Sequence, residues 1–435
     1  MLVQFSVKNY RSFCDPVSLS LIAVPELDDG RDLEENTFDS GHHFRLCKSA
    51  AIYGANASGK SNLVKAITLV RNLVVESFTS LKASEKLPVT PLRLRTDMQN
   101  KPSEFALIWI DGHERFRYLM ALDADRVHTE SLYRSVAPKV KGDAVQEELL
   151  FKREHLAVEF GAGFPEGHDL PKSGFKRENA LFLSYAAQFS GPVTKQITNW
   201  FLLQLNPVSG LDDESQRAFT IHQLKNKKRV DEILDLTRRA DPSLGSIRIE
   251  ERAFKREEVS PNLSEKEAER LVANGGVRVV FVHQVFDESG KPTGTVDLNL
   301  KTDASEGTQK FFSLSAPLIQ VLKEGRVLII DELDARLHPV LTRAIVDLFH
   351  SPANKKNAQL VFVTHDSNLL DRHLLRRDQI WFTEKDQYGA TDLYSLAGYK
   401  IDQAANIERD YIQGRYGAIP YGPSLLDDIA KEEEQ

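Results

Sequence analysis

The residues whose types and spacing could do chemistry lie first in the segment Gly54 to Ser61. This segment fits the phosphate-loop pattern G-x-x-x-x-G-K-[ST] at every fixed position. In such a loop, backbone N–H groups and the N-terminus of the next helix face phosphate oxygens, and the glycines allow a close approach. Lys60 would place a cation near the β- and γ-phosphates, and Ser61 would offer its hydroxyl to Mg²⁺. The sequence therefore predicts ATP and Mg²⁺ as ligands, held by Gly54, Asn56, Ser58, Gly59, Lys60, Ser61 and Asn62.

A pair of carboxylates follows an apolar run in the second half of the chain. Val327 to Ile330 is apolar throughout, which is typical of a central strand in a covered parallel sheet, and Asp331 and Glu332 come directly after it. Ligands of α/β sheets bind at the carboxyl ends of the strands. We therefore expect Asp331 to hold Mg²⁺, directly or through water, and Glu332 to act as the general base.

Another apolar run, Leu360 to Val363, is followed by Thr364-His365-Asp366. A histidine at the carboxyl end of a strand in the same sheet can reach the γ-phosphate. We therefore predict a catalytic role for His365.

A second anion site is predicted at Ser305 and Gly307, which precede an apolar-periodic helix. One chain does not need two cradles for the γ-phosphate of one ATP. Two chains packed head to tail would use both. The helix that follows Ser305 and Gly307, here called the signature helix, would then close over the ATP of the neighbouring chain. The protein is therefore expected to form at least a homodimer.

Hydrophobic periodicity indicates the elements that position these residues. A helix follows the phosphate loop, because Leu63, Val64, Ile67, Val70 and Leu73 recur at three- and four-residue steps. Alternating runs near the N-terminus and on either side of Asp111-Gly112 predict antiparallel hairpins. We predict an α/β fold with an N-terminal lobe (1–134), a mainly helical insert (135–275) and a C-terminal lobe (276–435). The insert is expected to contain a helix from Ile221 to Ala240, and the polar, aperiodic stretch Pro25 to Lys48 of the N-terminal lobe is expected to be a loop.

Two readings stay open for the turn Asn9 to Phe13. Tyr10 and Arg11 could cover an adenine or touch a phosphate. Alternatively, Phe13 anchors the core and Arg11 is solvated.

Composition limits the classes of protein that fit. The 435 residues carry a formal net charge of −7, so no global basic field holds nucleic acid. The basic runs Lys225 to Arg229 and Arg252 to Arg256 suit solvated helix faces better than a DNA-binding patch. No signal peptide, membrane span or disulfide scaffold is apparent, which predicts a soluble, cytoplasmic protein without a membrane partner.

Taken together, the motifs resemble the ABC-type ATPase heads of the RecF, SMC and OLD group. The resemblance rests on the phosphate loop, the Ser-x-Gly signature, Asp-Glu followed by Leu-Asp and Leu-His-Pro, the Thr-His switch, and the opening KNYRSF. The tail IERDYIQGRYGAIP, with RRDQIWFTEKD before it, is similar to compact bacterial AAA-type ATP-binding proteins of abortive-infection and anti-phage loci, such as AriA of PARIS and the RloB-associated ATPases. Glu306 departs from the pattern, since transporter heads carry glycine there.

The resemblance implies an ATPase whose heads pair around ATP. Its expected role is that of sensor or motor subunit in an anti-phage system, acting with a separately encoded effector such as a nuclease. One alternative is a RecF-like repair ATPase that binds DNA ends or gaps. Another is a scaffold that binds nucleotide without hydrolysing it.

Overall fold

The structure is a computed structural model, and its chain divides into two compact units. The first unit comprises Met1–Ser209, Leu322–Leu333 and Ile345–Gln435, and the second comprises Gly210–Val321 and Asp334–Ala344. The residues that the structure describes are 1–25, 27, 33–138, 145–171, 174–252, 256, 276–402 and 405–419.

A six-stranded sheet carries the phosphate loop in the first unit. Its order is β11-β15-β16-β5-β17-β18, in which all neighbours are parallel except the last pair. The residues of β5 are buried along the whole strand, as is typical of a central strand in a covered sheet. The strands are β5 (Ser49–Gly54), β11 (Leu205–Ser209), β15 (Val327–Asp331), β16 (Gln359–Val363), β17 (Ile380–Lys385) and β18 (Thr391–Ser395).

A seven-stranded antiparallel sheet forms the other layer of this unit, in the order β10-β9-β8-β7-β6-β1-β2. The predicted hairpin around Asp111-Gly112 is confirmed, since Asp111 pairs with Glu114 at its turn. The strands are β1 (Leu2–Lys8), β2 (Val17–Ser20), β6 (Ser103–Asp111), β7 (Glu114–Leu122), β8 (Val127–Val136), β9 (Glu148–Glu154) and β10 (Ala157–Phe160), and a separate pair is β3 (Thr37–Asp39) with β4 (Arg45–Cys47).

One long helix of the first unit, α2 (Lys60–Ser80), places its apolar face in the core. Leu63, Ile67, Val70 and Val74 are almost fully buried, which confirms the predicted periodicity. The other helices here are α1 (Leu33–Asn36), α3 (Phe182–Ala186), α4 (Pro192–Asn199), which continues into a π-helical turn over Trp200–Gln204, and α9 (Ile407–Ile412).

The second unit has a core of its own, built from helices against a three-stranded sheet. Its buried side chains include Ile233, Leu244, Phe281 and Phe312. The strands are β12 (Leu244–Arg252), β13 (Gly276–Phe286) and β14 (Pro292–Asn299), and the helices are α5 (Glu214–Gln223) and α6 (Lys227–Thr237). Two further helices begin in this unit, α7 (Glu306–Glu324) and α8 (Pro339–His350).

The compact units do not follow the predicted division at 134/135 and 275/276. Strand β8 runs across the first of these boundaries. Antiparallel pairing of β12 with β13 ties residues on both sides of the second, from Leu244↔His283 to Arg252↔Gly276. The described part of the segment 135–275 contains helices α3 to α6 and, in addition, strands β9 to β12.

Candidate nucleotide site

The phosphate loop lies between a central strand and a helix, as the pattern predicts. Strand β5 ends at Gly54, and α2 begins at Lys60 with Gly59 as its N-cap residue. Strands β16 and β17 flank β5 in parallel, so the carboxyl ends of all three lie at the same edge of the sheet. The loop therefore opens at the edge where α/β sheets bind their ligands.

The two fixed glycines of the loop are required by backbone angle and by space. Gly54 has φ of 152° and Gly59 has φ of 115°, values that disfavour side chains. A Cβ atom at Gly54 would collide with Thr383 and would lie 2.6 Å from Ser58 Oγ. A Cβ atom at Gly59 would collide with Thr391 and would lie 2.9 Å from Ser12 Oγ.

Lys60 folds back over the loop. Its Nζ donates to the carbonyl oxygens of Gly54 and Ala55 at 2.8 and 2.9 Å, and the residue is only 5 % exposed. A buried ammonium group that donates to carbonyl oxygens can donate instead to the anionic oxygens of a phosphate, which form stronger hydrogen bonds with it.

Ser61 and Asp331 meet, although they are far apart in sequence. Ser61 Oγ donates to Asp331 Oδ1 at 3.0 Å. Burial raises the pKa of Asp331 above its ordinary value, while the Ser61 hydrogen bond and the positive charges of Lys65 and Lys60 act against that rise. A hydroxyl beside a partly buried carboxylate fits the oxygen ligands that Mg²⁺ prefers, and a bound cation would favour the ionised form of Asp331.

A cavity of about 400 Å³ lies over the loop. Its lining includes the phosphate loop after β5, Glu332 after β15 and His365 beyond the end of β16. Predicted residues from three strand ends therefore line one cavity. Residues from several parts of the chain line it: Asn56, Ala57, Ser58, Gly59, Lys60, Ser61, Asn62, Lys65, Glu332, Val363, His365 and Lys385.

Glu332 has a backbone conformation that is rare for its residue type. Its φ is 56°, in the left-handed region that a residue with a Cβ seldom adopts. The next residue fixes the turn, because Leu333 N donates to Val363 O at 2.9 Å. Strained residues of this kind cluster at functional sites, and here the strain accompanies a carboxylate in the cavity wall.

Several residues that hold the loop were not found by sequence reasoning. Thr383 Oγ1 and Ser58 Oγ share a hydrogen bond of 2.6 Å, and Thr391 Oγ1 donates to Ser58 O at 2.7 Å. Ser12 Oγ accepts from Asn62 Nδ2 and shares a hydrogen bond with Thr391 Oγ1, at 2.8 Å each. The β17–β18 hairpin and the N-terminal turn therefore brace the loop together.

The lysines Lys65 and Lys385 were also missed. Lys65 carried a signal, because it lies four residues after Ser61 and so on the same face of α2. Lys385 ends β17, and no local pattern reveals that β17 is the neighbour of β5.

The other predicted residues, Ser305 and Gly307, belong to the second unit. Ser305 Oγ accepts from Thr308 N at 3.2 Å and so caps the start of α7. A Cβ atom at Gly307 would lie 3.0 Å from Arg336 O, which is tighter than ordinary contact. The N-terminus of α7 thus packs closely on the segment that follows Asp334.

A group of charges around the buried residues Asp213 and Lys310 joins these two segments. Asp213 accepts from Lys310 Nζ at 2.7 Å and from Arg336 Nη2 at 2.6 Å. Lys310 is fully buried, Asp213 is 8 % exposed, and Lys310 donates also to Gly210 O. Asp213 therefore fixes α7, through Lys310, to the segment that carries Arg336.

Asp213→Ala is expected to destabilise the second unit by about 3–5 kcal/mol, because it leaves the Lys310 charge buried without its counter-ion. Urea denaturation followed by circular dichroism measures the change. Asp235→Ala is the matched control, since Asp235 pairs with Arg238 at the surface and such pairs contribute about 1 kcal/mol or less. Equal, small losses in both variants would contradict a structural role for the cluster.

The turn Asn9 to Phe13 packs into the core through its last residue. Phe13 is fully buried, as the core reading expects, and Arg11 Nε donates to Tyr10 Oη at 3.0 Å. Arg11 lines a separate groove along α2 rather than the cavity over the loop.

The first basic run is partly neutralised by acidic neighbours. Lys225 pairs with Glu251 at 3.0 Å, and Arg229 pairs with Glu232 at 3.4 Å. This pairing fits a solvated face. The second run lies largely outside the described residues, which include the Arg252 backbone and Arg256 but not Lys255.

Among the helices of the described part of the chain, none has the length and apolar character needed to cross a bilayer.

Fold and site together place this protein in the class of P-loop ATPase domains with α/β architecture. More narrowly, the chain belongs to the family described as "AAA domain, putative AbiEii toxin, Type IV TA system", whose model matches residues 49–371. The predicted ATPase class is thereby confirmed. The narrower likeness to AriA and the RloB-associated ATPases stays a prediction.

Solved structures of SMC heads are also similar, at low sequence identity. An SMC head bound to the C-terminal winged-helix domain of ScpA has 13% identity and a TM-score of 0.41, over 91% of this chain and 97% of that one. The SMC head domain from Thermotoga maritima has 12% identity and a TM-score of 0.39, over 92% and 99%. An SMC head from Pyrococcus furiosus, bound to the C-terminal domain of ScpA, has 13% identity and a TM-score of 0.36, over 96% and 99%. No curated protein matches the chain.

Proposed function

We propose that this protein binds and hydrolyses ATP with Mg²⁺. The observation that carries the proposal is the contact between Ser61 and Asp331, with Glu332 in the wall of the adjoining cavity. Phosphoryl transfer to water requires a cradle for the phosphates, ligands for a cation and a base for the attacking water. Residues suited to all three tasks lie at one edge of one sheet.

Each residue has a distinct task in this proposal. The loop N–H groups and Lys60 hold the phosphates, and Glu332 takes a proton from the attacking water. His365, in the same cavity, donates a hydrogen bond to the γ-phosphate or orients the attacking water. Mg²⁺, held by Ser61 and Asp331, would neutralise charge on the β- and γ-phosphates.

The complete site is proposed to need two chains. Ser305 and Gly307 begin a helix whose N-terminus favours an anion. One ATP bound at Lys60 of one chain would be closed by Ser305 and Gly307 of a neighbour. ATP binding then drives pairing, and hydrolysis allows separation.

The biological role is proposed as sensor or motor in bacterial anti-phage defence, with a separately encoded effector. The support is the family description, which refers to an AbiEii toxin, together with the tail motif of the sequence. This role concerns a partner outside the chain and rests on analogy.

Mixing two inactive variants tests the shared site. Ser305→Arg should bind ATP normally through Lys60 but should not turn it over, because a bulky side chain faces the neighbour's γ-phosphate. Lys60→Ala should fail to bind ATP. A mixture of the two can form one site in which both elements are intact, so phosphate release should reappear above that of either variant alone.

The matched control is Ser289→Arg, which makes the same change at an exposed serine in the β13–β14 turn of the same unit. It should retain wild-type turnover. Wild-type turnover by Ser305→Arg would exclude the shared site, and absence of ATP hydrolysis by the wild type would leave the non-hydrolysing scaffold as the better description.

A further inference from the structure

We propose that Lys65 and Lys385 bind the phosphate chain of the nucleotide together with Lys60, so that the site selects its ligand by the number of phosphates. This inference rests on the proposed binding of ATP and deepens it. The phosphate-loop pattern accounts for Lys60 only, whereas the ammonium-bearing residues in the cavity lining are three: Lys60, Lys65 and Lys385.

The position of Lys385 follows from strand register. Thr383 of β17 pairs with Gly54, the first residue of the loop, so Lys385 lies two residues beyond that pair at the same sheet edge. Side chains two apart on a strand point to the same face. Thr383 contacts Ser58 in the loop, and Lys385 lines the cavity on that side.

The backbone around Lys385 is held in place by hydrogen bonds to the phosphate loop. Thr383 and Thr391 bond to Ser58 from the two strands of one hairpin, and these strands pair from Trp381↔Ser395 to Lys385↔Thr391. The backbone that carries Lys385 is therefore fixed to the phosphate loop, although its side chain is exposed.

Lys65 reaches the cavity from helix α2. It lies one helical turn after Ser61 on α2, and its charge acts on Asp331 at the end of β15. Lys65 and Lys385 thus extend the positive charge of Lys60 toward two sides of the cavity.

Neither of these two ammonium groups has a hydrogen-bond or ion-pair partner among the residues that the structure describes. Lysines on other surfaces of the chain do have such partners, as in Lys8 with Glu104 and Lys152 with Glu154. A side-chain cation in a concave wall beside a phosphate loop is suited to an anionic oxygen. ATP offers more such oxygens than ADP, and AMP fewer still.

Affinity for a series of nucleotides tests this directly. Calorimetry with ATP, ADP, AMP and adenosine should show that Lys65→Gln and Lys385→Gln each weaken ATP binding about tenfold, the loss expected for one hydrogen bond to a charged group. The loss should shrink from ATP to AMP and vanish for adenosine. The arginine variants at the two positions should retain most of the ATP affinity, because they keep the charge.

Two controls separate charge from structure. Lys195→Gln removes an exposed lysine on α4, outside the cavity, and should leave every affinity unchanged. Melting temperatures without nucleotide should be the same in all variants. Equal weakening of ATP and adenosine, or no weakening at all, would overturn the proposal, while failure of the wild type to bind ATP would overturn the proposed function instead.

Discussion

Lys60→Ala is expected to abolish ATP binding. The Lys60 ammonium group is nearly buried and is held over the loop by the carbonyl groups of Gly54 and Ala55, so its removal leaves the loop without the cation that the backbone positions there. A hydrogen bond to a charged group contributes about 1.5–3 kcal/mol. Loss of the cation among closely packed phosphates also leaves their mutual repulsion uncompensated. Isothermal calorimetry with ATP and Mg²⁺ measures the effect.

The same experiment needs a check on folding, because Lys60 begins α2. Circular dichroism and the melting temperature of the variant without nucleotide should match those of the wild type within a few degrees. Lys195→Ala serves as the control for loss of a lysine. Wild-type ATP affinity in a folded Lys60→Ala protein would refute the assignment of the phosphate loop.

Glu332→Gln is expected to separate binding from hydrolysis. Glutamine keeps the size of the side chain but cannot take the proton of the attacking water, and a general base contributes about a hundred- to ten-thousand-fold in rate. Turnover should therefore fall by that factor while ATP affinity is kept or improved. Phosphate release under saturating ATP measures the first quantity, and calorimetry measures the second.

The Glu332→Gln variant also reports on pairing. If a neighbour's signature helix closes each ATP, the variant should accumulate as an ATP-bound assembly whose mass by light scattering is at least twice that of the chain without ATP. Glu159→Gln, at an exposed position in β10, should turn over ATP like the wild type. A Glu332→Gln particle that stays monomeric with ATP fully bound would exclude the shared-site mechanism.

The sequence was sufficient to predict the local parts of the site. The phosphate loop needs residues at fixed short spacing, Asp331 ends one strand of the sheet, and His365 lies two residues beyond the end of another. Because carboxyl ends of parallel strands meet at one sheet edge, these residues could be expected to lie near one another without knowledge of the strand order. The structure brings the loop, Asp331, Glu332 and His365 together as that argument requires.

Other features could not be predicted, because they depend on which elements are neighbours. The pairing of Ile380–Lys385 with β5 depends on strand order, which no local pattern reveals, so Lys385 was missed. The segment Ile221 to Ala240 was predicted as one helix, and this was wrong. It divides between α5 and α6, where the Asn226 side chain accepts from Lys228 N at 3.1 Å and starts a new helix.

The segment Pro25 to Lys48 was predicted as a loop, and its described part forms short elements instead. Strands β3 and β4 pair from Thr37↔Cys47 to Asp39↔Arg45. Strands of three residues are too short to show a reliable period in sequence. Their pairing becomes visible only in three dimensions.

The placement of β5 between β16 and β17 has a consequence for biosynthesis. On the ribosome, Ser49–Gly54 emerges more than 300 residues before the strands that pair with it, from Leu360↔Ser49 to Thr383↔Gly54. At about 5–20 residues per second, this interval lasts on the order of tens of seconds. During that time this strand, which is buried along its whole length in the folded protein, has no native neighbour. The nascent chain is therefore an expected client of chaperones that cover exposed strands, and the nucleotide site is among the last parts of the molecule to be completed.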